Sequence, residues 1–248
     1  MNRILLLLLF FSFNVALGEI DKKLFIYGGQ VNKDFIAYTA KLTGKENPKI
    51  CFLPTASGDS PYYINYWYEI CSGLKIEPKV MEVWINSSSQ NESFEEKLLK
   101  MDAIIVGGGN TLNMLAIWKA QKIDIALRKA YDKGIVIAGG SAGSLCWFNA
   151  GTTDSRPKKL SIVKGLGFLE FSHCPHYSSE KTRKPLYHKN ILEKKLTNGY
   201  ACDDNSGILF INGKAIKSLS TDAKSFSYYV YEKDGEIIEE KLIPEIIK

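Results

Sequence analysis

The chain has 248 residues, of which 45% are hydrophobic and 24% charged, and its formal net charge is +5. This length supports one domain with a large buried core. The basic residues are interspersed with acidic ones and form no stripe, which gives no support to nucleic-acid binding. The five cysteines are an odd number in a chain of this size, so they do not describe a disulfide-stapled scaffold. The sequence is still compatible with one disulfide bridge in an oxidising compartment.

The first residues have the pattern of a secretory signal peptide. Arg3 precedes an apolar run over residues 4–11, and Ala16 and Gly18 supply the small residues of a cleavage site. The apolar run is shorter than the roughly 20 residues that a membrane-spanning helix needs. We therefore expect cleavage after Gly18, no stable membrane anchor afterwards, a single α/β domain over residues 19–248, and export to the periplasm or the medium.

Short apolar runs alternate with segments of helical periodicity through the first part of the chain. The pattern predicts strands over residues 24–27, 50–53, 80–84, 103–106 and 135–138, and helices over residues 60–72, 93–100 and 111–133. Such alternation predicts a mostly parallel sheet with helices on both faces. Later segments predict a helix over about 180–196, strands over 167–171, 200–202, 207–211 and 226–231, and a hairpin turn at residues 233–235.

Four of the predicted strands end in glycine-rich or polar sequence. These ends are Gly28-Gly29, PTASGD over residues 54–59, GGGNT over residues 107–111 and GGSAG over residues 139–143. The carboxyl ends of parallel strands lie at one edge of a sheet, where ligands bind in folds of this class. We therefore expect the four segments to meet at one site.

Ser141 is the first candidate for chemistry. Its G-x-S-x-G sequence lies between a predicted strand and a helical segment over residues 144–148, which is the context of a nucleophile elbow. The triple glycine over residues 107–109 lets backbone N–H groups approach a reacting atom, as an oxyanion hole requires, or it is only a tight strand-to-helix turn. It is not a dinucleotide-binding fingerprint, because Leu112 stands where the third glycine belongs.

A serine hydroxyl needs a base within hydrogen-bond reach to act as a nucleophile. Among the three histidines, His176 is the candidate base because Pro175 stiffens its approach, whereas His173 and His188 are interpreted as structural. Cys146, five residues after the serine, is expected to be buried.

The acid that would orient the imidazole has several candidates. Asp154 gives the chain order serine, aspartate, histidine that occurs on α/β sheets. Its other interpretation is an Asx turn in a polar loop. Asp203, Asp204 and Glu180 are alternatives.

Together these residues resemble the peptidase E family of aspartyl dipeptidases, to which the cyanophycinases are related. The resemblance rests on residues 107–111, on residues 139–143 and on Pro175-His176, with support from residues 54–56 and 182–183, and it covers nearly all of the chain after the signal peptide. It implies a class I glutamine-amidotransferase-like (flavodoxin-like) three-layer sandwich in which serine takes the place of the nucleophilic cysteine.

The resemblance also implies roles for individual residues. Ser141 would be the nucleophile and His176 the base, and the amides of Gly109 and Ala142 would form the oxyanion hole. Asp154 would fill the acid position after a short deletion relative to the family. Arg183 would correspond to the arginine that holds the carboxylate of an N-terminal aspartate in family members.

The function expected from these residues is a serine exopeptidase that hydrolyses small peptides through an acyl-enzyme, without a cofactor. No metal site is expected, because the histidines and cysteines lack compact ligand spacing. The alternatives are a cyanophycinase-like hydrolase of a β-linked or isopeptide polymer, and an exported binding protein that has lost turnover. The aromatic residues within 62–68 line a substrate groove or pack a helix onto the sheet. The oligomeric state is left open.

Overall fold

A computed structural model describes residues 20–85, 88 and 90–247. The expected signal peptide and its cleavage site after Gly18 lie outside the described residues. The helices are α1 Lys33–Leu42, α2 Pro61–Cys71, α3 Phe94–Leu99, α4 Thr111–Ala120, α5 Ile123–Asp132, α6 Ala142–Leu145 and α7 Arg183–Leu192, with a short 3₁₀ turn at Thr55–Ser57. The strands are β1 Lys23–Tyr27, β2 Lys49–Leu53, β3 Glu77–Val80, β4 Ala103–Val106, β5 Val136–Gly140, β6 Phe148–Thr153, β7 Ser161–Lys164, β8 Leu169–Cys174, β9 Gly199–Cys202, β10 Ser206–Ile211, β11 Lys214–Ser220, β12 Ser227–Lys233, β13 Glu236–Leu242 and β14 Glu245–Ile246.

The main sheet has the strand order β14-β11-β10-β1-β5-β4-β2-β3. From β1 to β3 every pairing is parallel, and β10 joins β1 in antiparallel orientation. The strands predicted over residues 24–27, 50–53, 103–106 and 135–138 are therefore confirmed as neighbours in one parallel sheet.

Both faces of the central strands are buried. Successive strand side chains point to opposite faces, so Leu24 and Ile26 of β1 pack in the core that contains α4 and α5, whereas Phe25 and Tyr27 pack in the core that contains α1 and α2. The prediction of helices on both faces of a mostly parallel sheet is confirmed.

A second sheet, which the sequence pattern does not predict, has the order β13-β12-β9-β8-β6-β7 and mixes parallel with antiparallel pairs. It packs against the main sheet around Phe210, whose ring centroid lies 6.0 Å from that of Phe148 and 5.1 Å from that of Tyr200. Tyr187 and Ile191 of α7 belong to a further apolar cluster on this sheet. The second sheet thereby brings the end of β8 to the carboxyl edge of the main sheet.

Three predicted elements differ from the observed ones. The helical segment predicted over residues 144–148 is the short helix α6, which ends at Leu145, and Phe148 begins β6. The strand predicted over residues 80–84 is wrong: β3 ends at Val80. The amide of Met81 still donates to the carbonyl oxygen of Phe52 in β2 at 3.0 Å, but those of Val83 and Trp84, the latter at 2.6 Å, donate to the carboxylate of Asp59. The helix predicted over residues 111–133 is two helices, α4 and α5, with Lys122 between them at a φ of 58°.

The hairpin turn predicted at residues 233–235 is confirmed between β12 and β13. Asp234 and Gly235 both have positive φ, 54° and 84°, as a tight two-residue turn requires.

The remaining structural expectations concern cysteines, membrane spans and metals. All five cysteines are free and buried. No helix among the described residues is both long and apolar enough to cross a membrane. Within the same part of the chain, no cluster of three or more histidine, cysteine or acidic residues is arranged to hold a metal ion.

Candidate active site

Ser141 directly follows β5, between the ends of β1 and β4. Its backbone has a φ of 53° and a ψ of −114°, a conformation that residues with side chains rarely adopt. Close packing holds it there: a Cβ atom at Gly140 would lie 2.1 Å from the carbonyl oxygen of Gly29, and one at Gly143 would lie 2.1 Å from that of Val106. The glycines on both sides of the serine are therefore required by the backbone approaches that form the turn.

His176 lies directly beside this serine. It follows Pro175 after β8, and its side chain is 15% exposed. The Nε2 atom of His176 is 2.8 Å from the Oγ atom of Ser141, and its Nδ1 atom is 2.6 Å from the Oδ1 atom of Asp204. Because a carboxylate only accepts hydrogen bonds, Nδ1 carries the imidazole proton and Nε2 accepts from the serine hydroxyl. Ser141, His176 and Asp204 therefore form a continuous hydrogen-bonded chain.

Asp204 reaches the imidazole from the loop between β9 and β10. The first glycine-rich strand end makes room for that loop: the amide of Gly29 donates to the carbonyl oxygen of Asp204 at 3.0 Å, and a Cβ atom at Gly29 would lie 2.7 Å from the same oxygen. A Cβ atom at Gly28 would lie 2.4 Å from the carbonyl oxygen of Asp203. The hydrogen bond from His176 holds the pKa of the Asp204 carboxyl below its usual value, against the opposing effect of partial burial.

Asp154, the acid expected from chain order, is not part of this chain of hydrogen bonds. Strand β6 runs through Thr153 in the second sheet and leaves Asp154 66% exposed, with its Oδ1 atom 3.6 Å from the Nη2 atom of Arg183. Both nitrogens of His176 already have other partners. The position of Asp154 is set by the course of β6, so chain order does not bring it to the imidazole.

The other two acids considered for this position have different partners. The Oδ2 atom of Asp203 accepts from the amide of Phe226 at 2.9 Å, which ties the β9–β10 loop to the start of β12. Glu180 pairs with Arg183 through two contacts, Nε to Oε2 at 2.7 Å and Nη2 to Oε1 at 3.2 Å.

Arg183 is almost completely buried, with 3% of its side chain exposed. Besides the forked pair with Glu180, its Nη1 atom donates to the carbonyl oxygen of Thr152 at 3.0 Å. The guanidinium predicted to hold a substrate carboxylate is thus already engaged with a carboxylate of the protein and with a backbone oxygen.

The triple-glycine segment forms the wall on the other side of the serine. A Cβ atom at Gly108 would lie 3.3 Å from the Cβ atom of Ser141, and one at Gly109, which has a φ of 135°, would lie 2.3 Å from the carbonyl oxygen of Ala56. Ala142 is the first residue of α6, so its amide has no acceptor inside that helix. The two residues predicted to supply oxyanion-hole amides therefore lie at the site, one next to Gly108 and one next to Ser141.

The other histidines do not contact the Ser141 hydroxyl. His173 is fully buried, with Nδ1 2.9 Å from the carbonyl oxygen of Tyr200 and Nε2 2.9 Å from the Oγ atom of Ser144. Burial lowers its pKa to about 3, so it is neutral at ordinary pH. The Nε2 atom of His188 is 2.7 Å from the hydroxyl of Tyr177.

The sequence and the fold were compared with those of known proteins. A family profile described as Peptidase family S51 matches residues 24–218. The uncharacterized peptidase YgaJ of Bacillus subtilis is 44% identical over 202 residues, which are 82% of this chain and 86% of that protein. The chain belongs to peptidase family S51. Peptidase E of a Nostoc species is 26% identical over 165 residues, which are 65% of this chain and 62% of that protein.

The fold is also that of a solved peptidase structure. The crystal structure of a peptidase from an acI-B1 Actinobacterium superposes with a TM-score of 0.69 at 16% identity, over 93% of this chain and 98% of that one. The class I glutamine-amidotransferase-like fold implied by the resemblance to peptidase E is confirmed. This S51 chain is a peptidase and therefore a hydrolase.

Proposed function

We propose that this S51 peptidase is a serine exopeptidase that hydrolyses small peptides through an acyl-enzyme on Ser141. The observation that carries the proposal is the chain of hydrogen bonds from Ser141 Oγ through His176 to Asp204, at 2.8 and 2.6 Å. A nucleophile, a base and an orienting acid in this sequence are what acyl transfer requires.

The chemistry follows from the protonation states at the site. As the Oγ atom of Ser141 bonds to the peptide carbonyl carbon, its proton moves to Nε2 of His176. The imidazolium then gives that proton to the leaving amine as the C–N bond breaks, and a water molecule, deprotonated by the same nitrogen, hydrolyses the ester. The carboxylate of Asp204 stabilises the imidazolium, and the amides of Gly109 and Ala142 donate to the oxyanion.

In this proposal Asp204 takes the role that chain order assigned to Asp154. The support is positional: Asp204 accepts from the imidazole, whereas Asp154 lies beside Arg183 and is mostly exposed. The preference for small peptides rests on the resemblance of residues 107–111, 139–143 and 175–176 to the peptidase E dipeptidases. Export also stays a proposal, and it rests on the pattern of residues 1–18 alone.

The test compares the chain from Glu19 with its Ser141→Ala variant on a dipeptide library, scored by the release of free amine. We expect Ser141→Ala to lower turnover at least about ten-thousandfold, because the nucleophile is lost while the fold is retained. Ser60→Ala is the matched control, since Ser60 precedes α2 and makes no capping hydrogen bond with its side chain.

Two further outcomes distinguish the alternatives. Labelling of Ser141 by a fluorophosphonate together with silence across the dipeptide library would favour cleavage of a polymer over exopeptidase activity. A folded protein that neither turns over peptides nor reacts with the fluorophosphonate would contradict the proposal and favour a binding role.

A further inference from the structure

The backbone of His176 lies in a region that favours glycine. Its φ is 53°, and its neighbours in the chain are Pro175 and Tyr177. A residue with a side chain keeps such a conformation only where the surrounding structure holds it there. The position of the imidazole between Ser141 and Asp204 therefore depends on contacts that the neighbours of His176 make.

Tyr177, the next residue, is fixed through both its backbone and its side chain. Its backbone amide donates to the carbonyl oxygen of Cys202 at 3.1 Å, and Cys202 ends β9 two residues before Asp204. Tyr177 is 1% exposed, and its ring packs edge-on against that of Tyr187 of α7, with centroids 6.4 Å apart. Tyr177 thus connects the stretch that carries the proposed base to the strand that leads to the proposed acid.

The hydroxyl of Tyr177 has two partners on other elements. It is 2.9 Å from Oε2 of Glu239, on β13, and 2.7 Å from Nε2 of His188, on α7. Burial and the nearby Glu239 carboxylate raise the pKa of Tyr177, so the hydroxyl keeps its proton. Because a carboxylate only accepts hydrogen bonds, the hydroxyl donates to Glu239, and the Nε2–H group of His188 donates to the phenol oxygen.

Lys184 keeps Glu239 in its ionised form. The Nζ atom of Lys184, one turn before His188 on α7, is 2.8 Å from Oε1 of Glu239. Partial burial raises the pKa of the Glu239 carboxyl, but the hydrogen bonds from Lys184 and Tyr177 outweigh it and hold that pKa below its usual value. The phenol therefore donates to a charged carboxylate, which gives a stronger hydrogen bond than a neutral acceptor does. We call Glu239, His188 and Lys184 the tyrosine anchor.

The tyrosine anchor acts on the imidazole only through the chain. The two nitrogens of His176 contact Ser141 and Asp204, and neither contacts the anchor. Any effect of the anchor on hydrolysis must therefore pass through the peptide bond between His176 and Tyr177. A rotation of that peptide unit would move the imidazole away from both of its partners.

We propose that Tyr177 is a positioning residue, which keeps the imidazole of His176 in the orientation that general-base catalysis requires. The tyrosine anchor fixes Tyr177 in turn. The inference rests on the proposed serine exopeptidase function and adds to it a residue that touches neither Ser141 nor the substrate.

Tyr177→Phe removes the hydroxyl and keeps the ring. We expect it to lower kcat about 10- to 100-fold on the best dipeptide of the library, with KM within about twofold, because a misplacement of about 1 Å costs up to roughly 100-fold in rate. Activity is expressed per active site, titrated with the fluorophosphonate, so that a loss of folded protein does not enter kcat. Tyr231→Phe is the matched control: Tyr231 of β12 donates to Glu240 at the same distance of 2.9 Å, but this pair is exposed.

Glu239→Ala tests the same contact from the other side. We expect it to lower kcat about tenfold, and the double variant with Tyr177→Phe to be no slower than Tyr177→Phe alone, because both changes remove one hydrogen bond. Glu240→Ala is the matched control: consecutive residues of a strand point to opposite faces, so it removes a carboxylate from β13 on the face away from Tyr177.

A readout without turnover separates failure of the positioning role from failure of the function. The Nδ1 proton of His176, which is donated to Asp204, is expected to give a downfield proton NMR signal, assigned by its loss in His176→Gln. We expect Tyr177→Phe to broaden this signal through exchange with water, and Tyr231→Phe to leave it unchanged.

The positioning role would be overturned by a kcat for Tyr177→Phe within about twofold of the wild type, by an equal loss in Tyr231→Phe, or by additive effects in the double variant. A lower Tm with unchanged kcat per active site would show that Tyr177 only stabilises the fold, and would overturn it as well. In each case Ser141-dependent hydrolysis leaves the function standing. A folded wild type that neither hydrolyses peptides nor is labelled would overturn the function, and the NMR signal then decides the positioning role by itself.

Discussion

Replacing Asp204 by asparagine tests whether its carboxylate orients the imidazole of His176, the proposed base. The substitution keeps the size of the side chain and removes its charge. The amide can still accept from Nδ1 of His176 in one orientation. In the other orientation it donates to Nδ1, so that the proton moves to Nε2 and the imidazole can no longer accept from Ser141.

The magnitude follows from the exposure of the pair. A hydrogen bond to a charged group contributes about 1.5–3 kcal/mol, and a tenfold change in rate corresponds to about 1.4 kcal/mol. Asp204 is 43% exposed, so water replaces part of the stabilisation that its carboxylate gives to the imidazolium. The lower half of the range of about 1.5–3 kcal/mol for a charged hydrogen bond therefore applies. Adding the tautomer effect, we expect Asp204→Asn to lower kcat/KM roughly 10- to 100-fold.

The assay is steady-state hydrolysis of the best dipeptide from the library, with thermal unfolding of each variant measured in parallel. Asp154→Asn is the matched control, because it removes the same charge from an aspartate that is 66% exposed and does not contact the imidazole. We expect Asp154→Asn to stay within about twofold of the wild type. A larger loss for Asp154→Asn than for Asp204→Asn, in variants of equal stability, would refute the assignment of Asp204.

The remaining predictions concern stability. Burial lowers the pKa of His173 from 6.5 to about 3, so between these values the unfolded chain binds a proton here that the folded protein does not. The free energy of unfolding should therefore fall as the pH decreases through this window, by up to about 1.4 kcal/mol per pH unit. Urea unfolding of the wild type at pH 7 and pH 5 should show this decrease, and His173→Gln should show a smaller one. Equal decreases in the two proteins would contradict the assignment. Arg183→Ala leaves the Thr152 carbonyl and Glu180 without their buried partner, for an expected loss of about 1–3 kcal/mol. Calorimetry should show a lower Tm by about 2–4 °C for each kcal/mol, and an unchanged Tm would show that the pair contributes nothing.

The aromatic residues of α2 show that one local sequence pattern is compatible with two interpretations, a substrate groove or the packing of a helix onto the sheet. Trp67 packs against Phe52 in the core, as a helix on a sheet requires. Tyr63 and Tyr66, from the same helix, line a small cavity together with Gly107 and Gly108, while Tyr62 is mostly exposed. Helical spacing predicts which residues share a face, but what lies opposite that face depends on the loop after β1, which comes from elsewhere in the chain.

The sequence by itself determined the parallel sheet, the turn that holds Ser141 and the prediction that His176 lies beside it, because these depend on short-range properties. Apolar period, glycines flanking a serine and a proline before a histidine act within a few residues of one another. The same local reading placed the four glycine-rich or polar strand ends at one edge, where Gly29, Gly108 and Ser141 are found.

Only the tertiary structure decided which acid faces the imidazole. Asp154 and Asp204 both lie in polar segments outside the predicted strands and helices, so nothing local separates them. The choice is made by strand order: β10 pairs with β1, which brings the loop containing Asp204 onto Gly29, while β6 pairs with β7 and β8 and leaves Asp154 beside Arg183. Pairings between strands far apart in sequence depend on how two whole sheets pack together, and that is a property of the complete fold.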